Sequence, residues 1–339
     1  MNLGGIPIDT KLLLESYHLS QVTLLPIPSG MMNKNFRVQA GDQTYVLKSF
    51  ATHLYPLADI HHVCAVQERV RQAGVPVPEL IRNREGEWIT QTEDGFCTLS
   101  RFVAGQPYKR PHVPAPAAYA MGQTLGKLQR VMADIDLPAT PYQLPDAGQA
   151  LERFKLCLNE AEKHRANPVD DFAYRFYRER IATLEALSTV PSLANQRQQW
   201  QHGDYQETNL IFSASNQVVA IIDFDHLRFR PRLYEMMRCF RYVFYEKGVL
   251  LPEAWEFYRG YLDGQTGLTE AEVADAMPMF DYYQTASDWP FSIRYLQPDK
   301  FDPRWEAFFH SEGDWWERNS HLIQERMVRL LQEHRGIHN

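Results

Sequence analysis

The chain has 339 residues, of which 44% are hydrophobic and 23% are charged, as expected for a globular protein with one large core or two smaller ones. The net charge of −7 argues against a nucleic-acid binder that neutralises phosphates, and no apolar run approaches the roughly 18–20 residues of a membrane helix. The N-terminus lacks the residue order of a signal peptide. We therefore expect a cytoplasmic protein without a nucleic-acid or membrane partner.

The four cysteines are scattered along the chain and form no CxxC pair; they are Cys64, Cys97, Cys157 and Cys239. Structural zinc sites use closely spaced ligand pairs. The pattern therefore predicts reduced, mostly buried thiols.

The first third of the chain is rich in β-type segments. A short capped helix over 9–17 precedes three runs, VTLLPIPSG, NKNFRVQAG and QTYVLKSF, which turn signals separate. These runs predict an antiparallel meander. A helical pattern over 57–74 stops at Gly74 before VPVP. Residues 79–105 then predict two or three more strands, so that a first lobe ends near Gly105.

The rest of the chain is mainly helical in pattern. The first predicted helices cover 115–133, 146–164 and 170–188. Strands return only around NLIFSAS and QVVAIIDFD, and the pattern from 232 onwards is helical with an aromatic-rich interruption at 288–316. The sequence predicts an α+β chain with a β-rich lobe at 1–105 and a larger helical lobe at 106–339 that carries one hairpin.

The stretch QHGDYQETNL at 201–210 precedes the apolar run VVAIIDFD. It reads either as an ordinary polar turn or as a hairpin with Asp204 and Asn209 at its mouth and Asp223 at its far end. In the hairpin, Asn209 and Asp223 can face one point, where two oxygen ligands with phosphate oxygens and waters would hold Mg²⁺. Asp204 would accept the hydrogen of a substrate hydroxyl and aim its oxygen at phosphorus.

HGDYQETN followed by IIDFD resembles the motif of the aminoglycoside phosphotransferase and choline kinase superfamily, which has the protein-kinase-like bilobal fold. The resemblance covers most of the chain. PSGMMNKNFRV is similar to the phosphate-covering loop, YVLKSF to the lysine strand, LSRFVAGQP to the linker between lobes and MGQTLGKLQRV to the first large-lobe helix. It implies a nucleotide-binding lobe at 1–105 and a lobe at 106–339 with the catalytic loop and the substrate site.

The resemblance also implies cofactors and roles, with ATP and Mg²⁺ as the cofactors. Asp204 would be the catalytic base or hydroxyl-orienting carboxylate, Asn209 and Asp223 would bind Mg²⁺, and Lys48 would contact the α- and β-phosphates. The other implied nucleotide contacts are Ser29, Gly30 and Asn33 in or near the phosphate loop, with the backbone of Ser100, Phe102 and Val103 at the adenine. His202 would support the catalytic loop.

Three positions depart from the family pattern. The lysine commonly pairs with a glutamate on the small-lobe helix, yet 57–74 offers only Asp59 and Glu68, and neither falls at the expected position. Gln129 replaces a histidine that many relatives have, and LYEMM has Glu235 where aspartate is usual. These departures make the subfamily harder to identify than the chemistry. The residues that the resemblance assigns to the reaction are all present: Lys48, Asp204, Asn209 and Asp223.

Two other functions compete with a small-molecule kinase. A protein Ser/Thr kinase needs a long activation loop as a platform for its peptide, but only twelve residues lead from Asp223 to Glu235, without a DFG glycine. A catalytically idle ATP-binding pseudokinase would predict loss of a metal ligand or of the lysine. The sequence favours a kinase for a small hydroxylated metabolite such as an amino acid, amino alcohol or amino sugar.

The substrate site is expected in the last third of the chain. Residues 251–339 hold 16 Asp and Glu against 8 Lys and Arg, and five of the seven tryptophans. Asp288 with Trp289 would suit an ammonium group, and Arg294 a carboxylate. Asp225 is a further candidate for contact with substrate or metal. A solvated acidic surface over an aromatic core explains the same residues.

Overall fold

The computed structural model describes residues 10–28, 33–50, 56–93, 95–109, 112–308 and 315–338. Its helices are α1 (Thr10–Tyr17), α2 (Leu57–Gln72), α3 (Ala115–Met132), α4 (Ala147–Lys163), α5 (Pro168–Ala186), α6 (Arg232–Tyr242), α7 (Glu253–Gly264), α8 (Glu270–Ala286), α9 (Phe291–Leu296) and α10 (Trp315–His338). Its strands are β1 (Val22–Ile27), β2 (Lys34–Ala40), β3 (Gln43–Phe50), β4 (Leu80–Ile81), β5 (Ile89–Thr92), β6 (Gly95–Arg101), β7 (Gln198–Gln201), β8 (Leu210–Phe212), β9 (Val218–Ile221), β10 (Arg228–Pro231), β11 (Tyr245–Glu246) and β12 (Val249–Leu250).

The chain divides into two compact units. The first contains the residues up to Leu137 together with Trp200–Arg228 and Arg259–Gln265. The second contains Pro138–Gln199, Phe229–Tyr258 and the residues from Thr266 onwards. The lobe boundaries at 105 and 106 stay a prediction.

An antiparallel sheet forms the N-terminal part of the first unit. Its strand order is β1-β2-β3-β6-β4, and β5 also pairs with β6, which confirms the predicted meander of the first three strands. Side chains alternate along a strand, and β3 buries Tyr45 and Leu47 on one face. Lys48 therefore lies on the other face, where Phe50 packs against Ile60 and Cys64 of α2.

The predicted helix ends agree with the structure to within a few residues. Helix α2 stops at Ala73, and Gly74 follows with a φ of 81°, the left-handed conformation that glycine adopts without strain. Asp9, the first residue of the helix predicted over 9–17, lies outside the described residues. Helix α9 falls inside the aromatic-rich stretch that the sequence presented as an interruption.

Helix α3 is held against the last turns of α7 by direct backbone contact. A Cβ at Gly260 would lie 2.0 Å from the Tyr119 carbonyl oxygen, and a Cβ at Gly264 would lie 2.2 Å from that of Gln123. The buried Gln129 accepts a hydrogen bond from the Tyr261 hydroxyl at 2.7 Å. Gln129, one of the departures from the family pattern, is thus part of this helix contact.

The second unit has a helical core. Side chains of α4, α5, α8 and α9 form it, and its largest members are Phe154, Tyr177, Tyr282 and Phe291. A buried ion pair joins Arg232 at the start of α6 to Glu272 on α8, with the Arg232 Nε at 2.6 Å from a carboxylate oxygen. A buried pair of this kind needs full hydrogen bonding to offset its desolvation, and Arg232 also donates to the Gly267 carbonyl at 2.8 Å.

The four cysteines are buried free thiols, as the sequence predicts. Burial raises the pKa of the Cys157 thiol to about 11. Among the described residues, no helix is both long and apolar enough to cross a membrane.

Candidate active site

The motif at 201–225 forms the predicted hairpin. Strands β8 and β9 pair with Leu210 opposite Ile221, and a turn at Asn216, whose φ is 63°, joins them. The Ile222 N–H donates to the Asn209 carbonyl at 2.9 Å. The register therefore brings Asn209 next to the segment that leads into Asp223.

Asp223 has a strained backbone. Its φ and ψ are 67° and 62°, a left-handed conformation that costs a non-glycine residue about 1–2 kcal/mol. Such strain persists where the surrounding structure enforces it, and it is concentrated at functional sites. The conformation supports the assignment of Asp223 to the site.

Asp204 is oriented by two side-chain amides. Its Oδ2 accepts from Asn209 Nδ2 at 2.8 Å and from Gln206 Nε2 at 3.0 Å. Asn209 Nδ2 also donates to the Asp204 carbonyl at 2.9 Å. Because the amide nitrogen of Asn209 serves Asp204, the amide oxygen is the atom with which Asn209 can bind a cation. The sequence analysis did not identify Gln206, although it stands only two residues after Asp204.

His202 is a buried, neutral support of this loop. Its Nε2 donates to the Ile222 carbonyl at 2.9 Å, and its Nδ1 accepts from the Asp204 N–H at 3.3 Å. A carbonyl only accepts and an N–H only donates, so the imidazole carries one proton, on Nε2. Burial lowers the pKa of His202 to about 4. With both nitrogens bonded, His202 holds the loop and does not act as a base.

Gly203 is required by a close approach between two loops. Its φ is 84°, and a Cβ at this position would lie 1.6 Å from the carbonyl oxygen of His226. The glycine of the His-Gly-Asp motif thus lets the turn after Asp223 lie directly against the catalytic loop.

Lys48 forms ion pairs with two aspartates of the loop after β9. Its Nζ lies 2.7 Å from Asp223 Oδ1 and 2.6 Å from Asp225 Oδ2. The Asp223 side chain is 40% exposed and that of Asp225 only 4%. The sequence did not identify this pairing, because the family pattern directs attention to α2.

The charges in this cluster shift one another's titration. Burial lowers the pKa of Lys48, but the carboxylates of Asp225 and Asp223 outweigh burial, and the net shift is upward. Burial raises the pKa of Asp223, but the Lys48 ammonium outweighs it and the net shift is downward. Burial dominates for Asp225 and raises its pKa. Asp223 is therefore the carboxylate of this pair that most readily carries charge toward a ligand.

The predicted nucleotide-binding residues are only partly described. Ser29 and Gly30 lie outside the described residues. The side-chain amide of Asn33 donates to the Asp225 carboxylate. The Ser100 hydroxyl donates to the Val46 carbonyl at 3.5 Å, and the Phe102 N–H donates to that of Thr44 at 3.0 Å. An adenine contact through the Phe102 N–H would have to replace the hydrogen bond to the Thr44 carbonyl. Val103 is the next residue and lies beyond the end of β6.

The predicted substrate residues of the second unit differ in what they contact. Asp288 is 5% exposed and accepts from Arg153 Nε at 3.0 Å and from the Tyr177 hydroxyl at 3.2 Å; burial raises its pKa. Trp289 is 59% exposed, and its ring lies 5.6 Å from that of Trp305. Asp288 is therefore buried and bound by protein side chains, whereas Trp289 presents an exposed aromatic side chain.

Arg294 is engaged by protein carboxylates. Its Nε and Nη2 lie 3.2 and 3.3 Å from the two oxygens of Asp170, and its Nη1 lies 2.5 Å from Glu306. The residue lines a cavity of about 710 Å³ within the second unit. A substrate carboxylate at Arg294 would have to compete with the carboxylates of Asp170 and Glu306.

The donor set fits a Mg²⁺–nucleotide complex. Among the described residues no group of three or more His, Cys, Asp or Glu side chains is placed to hold a metal ion by itself. Mg²⁺ in nucleotide sites commonly takes one or two protein oxygens and completes its shell with phosphates and water. Asn209 and Asp223 would supply such a pair, and Lys48 would supply a cation for phosphate.

Comparison with known proteins places the chain in a family. Residues 23–271 match the model of the phosphotransferase enzyme family, a range that contains Lys48, Asp204, Asn209 and Asp223. Among curated proteins, none matched this chain.

Solved structures with low sequence identity share the fold. An aminoglycoside phosphotransferase from Alicyclobacillus acidocaldarius subsp. acidocaldarius aligns with a TM-score of 0.62 at 12% identity, over 97% of this chain and 96% of that one. A microcompartment-associated aminopropanol kinase gives 0.60 at 14% identity, over 96% and 98%. An amicoumacin kinase in complex with AMP-PNP, Ca²⁺ and its ligand gives 0.57 at 15% identity, over 96% and 92%.

These matches confirm the predicted fold class, a kinase-like fold with an antiparallel sheet in its N-terminal part and a mainly helical C-terminal part. The family model covers most of the chain, including the hairpin and the lysine strand. The chain belongs to the phosphotransferase enzyme family.

Proposed function

We propose that this protein is an ATP- and Mg²⁺-dependent phosphotransferase that phosphorylates a hydroxyl group of a small metabolite, such as an amino acid, an amino alcohol or an amino sugar. One observation carries the proposal: Asp204 is held by the amides of Gln206 and Asn209, and the Asn209 carbonyl accepts from the Ile222 N–H. Ile222 leads directly into the strained Asp223, which pairs with Lys48. The four residues with a role in phosphoryl transfer are Asp204, Asn209, Asp223 and Lys48.

Asp204 would orient the acceptor hydroxyl and accept its proton. The amides of Gln206 and Asn209 fix one carboxylate oxygen, so the group is positioned before the substrate binds. Phosphoryl transfer depends mainly on positioning and charge stabilisation, and a group oriented in advance needs little reorganisation during reaction.

Lys48 would bind the phosphates of ATP, and Asn209 and Asp223 would hold Mg²⁺. When bound, the metal supplies neutralisation of the charge on the transferred phosphoryl group. In the structure Asp223 is already paired with Lys48, so an anionic phosphate would replace Asp223 at the ammonium and release its carboxylate for the metal.

A small acceptor is supported by two observations. The segment from Asp223 to Glu235 contains a short turn, β10 and the start of α6, which leaves no long activation loop. The similar solved structures include an aminopropanol kinase and an amicoumacin kinase, whose names describe small acceptors. Trp289 is the candidate substrate contact with an exposed side chain.

The test is ADP release from ATP and Mg²⁺ against a panel of homoserine, choline, ethanolamine, hydroxylysine, methylthioribose, glucosamine and kanamycin. Asp204→Asn is the blank, and Asp42→Asn, at an exposed turn, is the matched control. We expect one acceptor to stimulate ADP release, with kcat reduced about 10²–10⁴-fold in Asp204→Asn and unchanged in Asp42→Asn.

Retention of most turnover in Asp204→Asn would contradict the assignment of the catalytic carboxylate. Tight ATP binding without stimulation by any acceptor in a widened panel would favour the idle nucleotide-binding module over the kinase.

A further inference from the structure

The lysine of this site has its acidic partners on the loop that follows β9. Lys48 Nζ lies 2.6 Å from Asp225 Oδ2 and 2.7 Å from Asp223 Oδ1. Among the described residues these are the carboxylates within ion-pair distance of Lys48. Both stand on the loop that also carries a proposed metal ligand.

Helix α2 offers no acid to Lys48. Glu68 is bound to Arg71, with Nε and Nη2 of the guanidinium each 2.8 Å from a carboxylate oxygen. Asp59 lines a cavity of about 330 Å³ that Asp225 and Phe50 also line. Helix α2 packs against Phe50 through Ile60 and Cys64, but among the described residues none of its acids forms an ion pair with Lys48.

Asp225 is well placed to hold the lysine. Its side chain is 4% exposed, and it accepts from the amide of Asn33 as well as from Lys48. A buried carboxylate with two donors has one favourable orientation, because any rotation would leave charge without a partner. The ammonium of Lys48 is thereby tied to a fixed point.

Asp223 and Asp225 differ in side-chain exposure and therefore in whether they can turn toward a metal. Asp223 is 40% exposed, and in the proposed function it turns to the metal. Were it the sole partner of Lys48, the lysine and the metal would compete for one carboxylate. With Asp225 present, Lys48 keeps an anionic partner after Asp223 has been released.

We propose that Asp225 is the positioning residue for Lys48 and takes the part that an acid on the small-lobe helix would otherwise have. The inference rests on the proposed function, because it assumes that Lys48 binds nucleotide phosphates. It reassigns Asp225, which the sequence offered as a contact for substrate or metal. The orientation of the lysine is then set by carboxylates of the loop after β9 and needs no acid on α2.

The test compares ligands with and without phosphates. Binding of ADP and of adenosine to the full chain is measured by calorimetry in EDTA, so that no metal contributes. Asp225→Asn should weaken ADP binding by about tenfold or more, the size expected for losing one well-placed charged hydrogen bond. Adenosine affinity should not change. Glu68→Gln is the matched control on α2, and both of its affinities should equal those of wild type.

A double-mutant cycle separates positioning from a general structural effect. If Asp225 acts through Lys48, Asp225→Asn should add almost nothing to the loss of ADP affinity already caused by Lys48→Met. Asn33→Ala removes a donor to the same carboxylate without changing any charge, and it should weaken ADP binding in the same direction by a smaller factor. It serves as the second variant if Asp225→Asn folds poorly.

Three results would overturn the inference alone while wild type binds ADP normally. They are unchanged ADP affinity in Asp225→Asn, equal losses for ADP and adenosine, and fully additive losses in the cycle with Lys48→Met. A wild-type chain that binds neither ADP nor ATP would instead overturn the proposed function, and the inference with it.

Discussion

The hairpin region around Asp204 and the segment around Asp288 are both rich in charged and polar side chains, but they engage them differently. In the hairpin, Asn209 contacts Asp204 from five residues away and His202 contacts Ile222 from twenty. Around Asp288, the partners come from 135 and 111 residues away. Hydrogen-bond partners that are close in sequence form a motif that can be recognised in the sequence alone. Partners that are more than 100 residues apart do not form such a motif.

The two regions also differ in how completely their charges are paired. Asp223 is 40% exposed, and in the proposed function its partner Lys48 exchanges it for a phosphate. Asp288 is 5% exposed and is bound by Arg153 and Tyr177. Breaking a buried pair leaves an uncompensated charge, which costs several kcal/mol. The difference shows that a charged side chain can bind a ligand only where the ligand can replace its protein partner at low cost.

The largest effect on stability is expected from Gly203→Ala, which tests the packing of the hairpin region. The new Cβ would meet the His226 carbonyl at 1.6 Å in a backbone with a φ of 84°. The steric clash and the left-handed backbone together should lower the free energy of unfolding by about 4 kcal/mol.

The matched control is Gly86→Ala. Gly86 has a φ of 82° with nothing within 4 Å of the added Cβ, so it isolates the backbone cost of about 1 kcal/mol. Chemical denaturation measures both variants, and equal losses would show that the loop contact at Gly203 is unimportant.

The next effect is expected from Arg153→Met, which tests the paired region. It leaves the buried Asp288 carboxylate without its ion-pair partner and should reduce the free energy of unfolding by about 3 kcal/mol at neutral pH. The loss should shrink at low pH, where Asp288 is protonated. The KM values for the nucleotide and the acceptor should not change in the folded variant. A raised acceptor KM would show that Asp288 belongs to the substrate site, and it would contradict the contrast between the two regions.

A pH effect follows from the neutral His202. Its folded-state pKa is about 4, below the value of roughly 6.5 in an unfolded chain. Between these values the unfolded state binds a proton that the folded state does not. His202 therefore costs no stability above about pH 6.5, and stability is lost as the pH falls toward 4, by about 3 kcal/mol.

The measurement is the free energy of unfolding at several pH values for wild type and His202→Gln. The variant lacks the titrating group, so its stability should fall less steeply between pH 6.5 and 4. Parallel curves would contradict the buried neutral histidine.

The smallest effect on stability is expected from Trp289→Ala. The side chain is 59% exposed, so its removal should change the free energy of unfolding by less than about 1 kcal/mol. If Trp289 contributes an aromatic face to the acceptor, the acceptor KM rises while the ATP KM stays the same. Unchanged kinetics for the best acceptor would remove Trp289 from the substrate site.

The sequence predicted those parts of the molecule in which the determining signals are local. Alternation and turns revealed the meander of β1 to β3, Gly74 marked the end of α2, and the spacing of Asp204, Asn209 and Asp223 predicted the hairpin. Each depends on residues within one element or on elements that follow one another directly in the chain, where pattern and turn residues fix the local backbone.

Pairings between distant elements were not predictable in this way. The acidic partners of Lys48 are Asp223 and Asp225, more than 170 positions further along the chain, and not acids on α2. Arg294 presents a charge that suits a carboxylate substrate, but the fold supplies Asp170 from 124 residues away. Charge alone identifies what a side chain can bind, and only tertiary packing decides what it does bind.

The hydrogen bond from His202 to Ile222 provides a direct spectroscopic probe. The Nε2 proton is donated to a carbonyl at 2.9 Å, and the ring has no exposed surface. A proton held in this way exchanges slowly with water and gives a resolved downfield resonance in proton NMR. Its presence in any variant of this chain would show that the hairpin of β8 and β9 has formed, and the measurement needs no nucleotide, metal or identified acceptor.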